Sequence, residues 1–143
     1  PPVATARLYD EWRSAPPRGV IVDIASIKTP LIAPIAALRD AGARVASIHP
    51  MFGPSVTLLR DCDIVICDTG DAHATATVEA LFAPTTARLV HLPLDDHDRV
   101  MADVLSLAHA TAIVFALALP EHELPVRSTT YQALELSLIH ISE

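Results

Sequence analysis

Ser26 and His49 are the residues of this chain whose types and placement best suit chemistry on an alcohol. A hydroxyl and an imidazole that overhang one crevice can hold and deprotonate an alcohol, histidine being the usual carrier of protons near neutral pH. Lys28 stands two positions from Ser26 and is the only lysine among ten basic residues, the other nine being arginine. Each residue also has a plainer reading alone. Ser26 is a favoured helix N-cap, Lys28 a solvated first-turn residue, and a histidine before proline an ordinary turn.

The elements that must position these side chains are legible in the flanking pattern. Val20-Ile21-Val22-Asp23-Ile24 is a short β-branched run of the kind found in buried parallel strands. Apolar residues at helical spacing follow (Leu31, Ile32, Ile35, Leu38) and stop at Gly42. A second apolar run, Arg44 to Ile48, then delivers His49-Pro50. This is a β-α-β unit. Such crossovers are right-handed in nearly all cases, so both strands end on one edge of the sheet, where open α/β sheets bind ligands.

The remaining chain continues the alternation. A short helix is predicted over Thr5 to Ser14, ended by Pro16-Pro17. After a surface loop, a strand over Asp63 to Cys67 leads into the turn Asp68-Thr69-Gly70-Asp71, which caps a helix from Ala72 to Phe82 with Glu79 outward. Ala87 to Leu92 is a further strand. A long helical pattern spans Asp95 to Leu119, with Asp95, Asp96 and Asp98 in the first turn, where the helix dipole favours carboxylates. From Val104 onward it is apolar nearly all round, broken mainly by Ser106, His109 and Thr111, which predicts cover on every side. As a membrane span it reads as too short, and it carries a histidine. Pro120 to Arg127 forms a connector, and Ser128 to Tyr131 caps a last helix with Leu134 and Leu136 inward. The expected fold class is α/β, the C-terminal part of a Rossmann-like parallel sheet followed by an all-helical segment.

Composition limits the function classes. The net charge is −7 with no basic cluster, which argues against nucleic-acid and anionic-membrane partners. Apolar residues make up 51% of the chain and mean hydropathy is +0.38, values that call for buried helices or a subunit interface. Cys62 and Cys67 fall on opposite faces of a predicted strand, so neither a disulfide nor a shared metal site follows. A reduced, cytoplasmic protein without a signal peptide is the simplest expectation. His73 and His91 carry no expected role.

Two stretches, VDIASIK (Val22 to Lys28) and HPMFGP (His49 to Pro54), together with Asp96-His97-Asp98 and Leu107-Ala108-His109-Ala110, resemble the prephenate dehydrogenase family, the NAD(P)-dependent enzymes of tyrosine biosynthesis. The resemblance runs to about Leu136. It implies NAD or NADP as cofactor, prephenate or arogenate as substrate and no metal. It further implies His49 as the base, Ser26 as its partner at the reacting hydroxyl, and Lys28, His97 and His109 as substrate-binding residues. Thr5, Ser26 and Pro54 are implied at the cofactor, and a homodimer through the helix over 95–119. The corresponding domains are 1–93, the end of a dinucleotide-binding domain, and 94–136, the start of a helical dimerisation and substrate domain.

The chain departs from that family in three places. It has only four glycines, no two of them close, so the G-x-G-x-x-G turn that receives a pyrophosphate is missing and the chain reads as a fragment. An arginine expected to grip a substrate carboxylate is absent, His140 standing near its place and Gln132 where some members carry another. The tail over 137–143, SLIHISE, resembles a translated adapter read-through rather than the family. The departures leave open a second class, a binding or dimerisation module with no activity of its own.

Overall fold

The computed structural model describes residues 2–53, 56–120 and 124–142, and the chain divides into two compact units, Pro1–Asp98 and Arg99–Glu143. His97 and Asp98, which the sequence reading assigned to the helical part, group with the first unit. That unit contains α1 (Pro2–Trp12), β1 (Val20–Asp23), α2 (Ile32–Asp40), β2 (Arg44–Pro50), β3 (Asp63–Asp68), α3 (Ala72–Phe82) and β4 (Arg88–Pro93). It closes with a 3-10 turn, Leu94–Asp96, and the first residues of α4 (His97–Met101). The second unit holds a π-helical turn, Ala102–Ser106, then α5 (Leu107–Leu117) and α6 (Thr129–Ser142).

The four strands form one sheet in the order β1-β2-β3-β4. β1 runs parallel to β2, with Val20 opposite Arg44 and Asp23 opposite Ser47, and β3 runs parallel to β4. The β-α-β unit expected around His49 is therefore present. β2 and β3 pair antiparallel, with Ser47 opposite Cys67 and Pro50 opposite Ile64. Among the described residues no crossover helix lies between these two strands. A connection without one joins antiparallel neighbours, so the parallel-dominated sheet carries one reversed junction.

The period of two along β2 separates its faces. Ala46 and Ile48 join Ile64, Ile66, Ala74 and Val78 in one apolar cluster beneath α3. The opposite face presents Val45, Ser47 and His49, all buried, towards α2, whose Ile35 and Leu38 are also buried. α2 stops because Gly42 adopts φ +96°, a left-handed conformation that closes a helix end at little cost for glycine. α3 starts at Asp71, whose side chain accepts the backbone N–H of Ala74 at 3.0 Å, the predicted cap.

The helical stretch Leu94–Leu117 is 24 residues long and is long and apolar enough to cross a membrane by length and composition. This corrects the expectation that the segment falls short. Cover on every side is not provided among the described residues either, since Leu107, Val114 and Leu117 of α5 are exposed. Inside the second unit, Phe115 meets Tyr131 edge-on with ring centroids 5.1 Å apart, which ties α5 to α6.

Candidate active site

His49 lies inside β2 and not beyond it, opposite Val65 of β3. Its alternation places the ring on the polar-lined face of the sheet, where only 6% of the residue is exposed. Nδ1 lies 3.1 Å from Nε2 of His97, and the two rings are tilted by 52° with centroids 5.1 Å apart. His97 is fully buried, and its Nδ1 lies 2.7 Å from Oδ1 of Asp98. Burial pushes the His49 pKa down to about 4, the neighbouring His97 and Lys28 push the same way, and Asp98 and Asp23 oppose them. The ring is neutral at physiological pH.

The other nitrogen of His49, Nε2, has no hydrogen-bond partner among the described residues. No sealed side-chain nitrogen or oxygen among those residues lacks a partner, so this nitrogen keeps a path to solvent. A neutral imidazole gripped on one side and open on the other is suited to proton transfer.

Asp98 is bonded from several directions. It accepts the backbone N–H groups of Lys28 and Thr29, each at 2.8 Å, and the Thr29 hydroxyl at 2.6 Å. Partial burial raises its pKa, but the bonds from the Thr29 hydroxyl, the two backbone N–H groups and His97 outweigh that and hold it well below the ordinary carboxylate range. The sequence pattern had offered Asp98 only a place in a helix's first turn. Its pairing with a loop some seventy residues earlier has no local signal.

Lys28 departs from its expected place. It is 0% exposed, and Nζ lies 2.7 Å from Oδ2 of Asp23 and donates to the carbonyl of Ile48 at 2.7 Å. The ammonium is enclosed by the end of β1 and the middle of β2, so it does not face a dianionic substrate. Burial of a lysine requires such partners, and Asp23, also buried, supplies the charge. Ser47 donates its hydroxyl to the same Asp23 oxygen at 2.7 Å, and Ala25 N–H binds the other at 2.8 Å. Asp23 and Ser47 were missed as parts of this network, although Asp23 is the first letter of the D-x-x-S-x-K pattern.

His97 likewise is not placed to touch a substrate, since none of it is exposed. Its Nε2 meets the His49 ring instead. Ser26 is exposed and makes no hydrogen bond among the described residues, so the imidazole is oriented by His97 and not by Ser26. Ser26 instead lines an open cavity of about 520 Å³ together with Thr5, Tyr9, Trp12 and the end of β1. Two of the three residues expected at a cofactor thus share one cavity. The third, Pro54, lies outside the described residues. His109, in the second unit, is exposed and lines a separate cavity of about 510 Å³ between α5 and α6, with Leu107, Thr111 and Leu134. His91 pairs with Glu79 at 3.1 Å on the surface. Among the described residues no cluster of histidine, cysteine or carboxylate side chains could hold a metal.

The described residues thus form a Rossmann-like α/β layer with a buried histidine, bonded through one ring nitrogen, near a strand's carboxyl end. No protein-family profile matches the chain. It is 31% identical over 126 residues to the T-protein of Enterobacter agglomerans, covering 84% of this chain and 33% of that protein. It is 32% identical over 107 residues to a 4-amino-4-deoxyprephenate dehydrogenase of Streptomyces pristinaespiralis, covering 73% and 35%. The fold matches prephenate dehydrogenase from Aquifex aeolicus with a TM-score of 0.63 at 13% identity, over 97% of this chain and 61% of that one. It matches Synechocystis arogenate dehydrogenase with a TM-score of 0.63 at 15% identity, over 99% and 60%.

The chain belongs to the prephenate/arogenate dehydrogenase family. It spans about a third of the length of the two curated relatives named above.

Proposed function

We propose that this chain carries the proton-accepting part of an NAD(P)-dependent prephenate or arogenate dehydrogenase. The observation that supports this reading most directly is the His49 ring, held neutral by burial, bonded through Nδ1 and unpartnered at Nε2. In the proposed reaction Nε2 takes the proton of the ring hydroxyl as hydride leaves the same carbon, and loss of carbon dioxide aromatises the ring. Such a positioned base contributes on the order of 10²- to 10⁴-fold. An approaching dianionic substrate would raise the His49 pKa from its low resting value, strengthening the base when it is needed.

Bound NAD or NADP would accept the hydride. The cavity between α1 and the end of β1 suits one end of that molecule. Trp12 and Tyr9 supply aromatic rings, tilted by 31° to one another, and Thr5 and Ser26 supply hydroxyls. The fit stops there, because no glycine-rich turn for a pyrophosphate occurs in these residues. Ser26 at the cavity rim would hydrogen-bond the reacting hydroxyl or the cofactor next to it. His109 would be a further substrate-binding residue. Lys28 acts on the site by holding β1 against β2 beside His49.

The apolar surface of α5 supports a homodimer through the helix over 95–119. A cytoplasmic biosynthetic enzyme is the location this reading carries. The test joins this chain to a nucleotide-binding half that bears the glycine turn. Prephenate-dependent formation of reduced NAD or NADP is expected, and His49→Asn should lower kcat by at least about 100-fold. Near-normal turnover in that variant would end the assignment.

A further inference from the structure

The donors and acceptors along Asp98, His97 and His49 can be assigned one by one. Lys28 and Thr29 give Asp98 two backbone N–H groups, which can only donate. Both carboxylate oxygens are therefore acceptors, Oδ1 towards Lys28 and Oδ2 towards Thr29. Oδ1 is also the oxygen that meets Nδ1 of His97, so that nitrogen must carry the hydrogen. A His97 whose one ring hydrogen is on Nδ1 has a bare Nε2, which accepts. The only partner placed to donate to it among the described residues is Nδ1 of His49. The proton of His49 is then on Nδ1, and the lone pair is on Nε2, the nitrogen with a path to solvent.

We infer that His97 and Asp98 are a positioning pair that locks His49 in the tautomer protonated on Nδ1, presenting the Nε2 lone pair as the proton acceptor. The inference deepens the proposed function and rests on it for its catalytic meaning. The reverse tautomer would present an N–H to the alcohol and could not take its proton. In the serine-protease triad, whose aspartate does the same job for a histidine, the wrong tautomer costs about 10⁴ in kcat. The direction of the chain is set by two backbone groups, which cannot be reversed by rotating a side chain. When Nε2 takes a proton, the Nδ1–H to His97 bond becomes charge-assisted and strengthens.

The test is nitrogen NMR of this chain labelled at histidine, which reads the protonation of each ring nitrogen without any turnover. At neutral pH the expected result for His49 is a protonated Nδ1 and a bare Nε2. His97→Gln, whose amide oxygen can still accept, should keep that pattern, whereas His97→Phe should leave His49 as a mixture of tautomers. In the complete enzyme His97→Phe should lower kcat by on the order of 10²-fold with little change in KM, with His97→Gln restoring much of the loss. A protonated Nε2 in the unaltered chain overturns the inference, as does an unchanged tautomer in His97→Phe. Correct tautomers in a complete enzyme that does not turn over prephenate or arogenate would refute the proposed function and leave the positioning pair standing.

Discussion

The ammonium of Lys28 donates to the backbone carbonyl of Ile48 at 2.7 Å, so the residue that precedes His49 is pinned from the neighbouring strand's loop. The same nitrogen is paired with Asp23 at 2.7 Å, and Asp23 is bonded in turn to Ser47 of β2. One buried cation thus fixes the strand on which the candidate base is carried.

Removing one member of that pair leaves an uncompensated buried charge. Lys28→Met should cost about 3–5 kcal/mol of unfolding free energy, read from urea denaturation, and the double variant Lys28→Met, Asp23→Leu should recover much of it. A solvated lysine would give a change within about 0.5 kcal/mol. A value that small would show that the pair is not enclosed in solution.

His49 is expected to titrate near pH 4, below the ordinary histidine value of 6.5. The charged and titratable groups around it are His97, Lys28, Asp98 and Asp23. Because its folded pKa is depressed, the unfolded chain binds the proton more readily. Its contribution to stability is present above about pH 6.5 and is lost as pH falls from there towards about 4. His49→Gln should flatten the stability profile in that window, and a proton-NMR titration of His49 centred near 6.5 would contradict the burial argument.

Asp98 has a depressed folded pKa, so its contribution is complete above the unfolded carboxylate value and declines as pH falls below it. Asp98→Asn should therefore lower stability at neutral pH and weaken the acid dependence below about pH 4. Hydrogen exchange at the Lys28 and Thr29 amides is the local reporter, since both donate to this carboxylate. Unaltered protection of those amides in the variant would contradict the assigned bonds.

Leu107 and Val114 are seven residues apart on α5, which puts them on one face, and both are exposed. If that face forms the homodimer, Leu107→Glu with Val114→Glu should convert a dimer to a monomer in sedimentation equilibrium. An unchanged mass would place self-association elsewhere.

Much of the first unit was legible without coordinates. Val20 to Asp23 and Arg44 to Ile48 are apolar runs joined by a helical period, and local spacing suffices to predict a β-α-β unit from them. Asp71 as a cap and Gly42 as a stop are likewise local decisions, set by a side-chain oxygen and by backbone freedom. The D-x-x-S-x-K and H-P-M-F-G-P stretches pointed to the right family because each keeps its own internal spacing.

Long-range pairing was out of reach of such signals. Spacing does not say which nitrogen of His49 is engaged, because its partner, His97, lies 48 residues later. Nor does it say that Lys28 turns inward, since that depends on Asp23 and Ser47 being set opposite one another by the parallel register. The chain order of residues decided which strands and helices form. Only the folding of distant segments onto one face decided that a lysine is enclosed between two strands, that a second histidine meets the first, and that one ring nitrogen of His49 has no partner among the described residues.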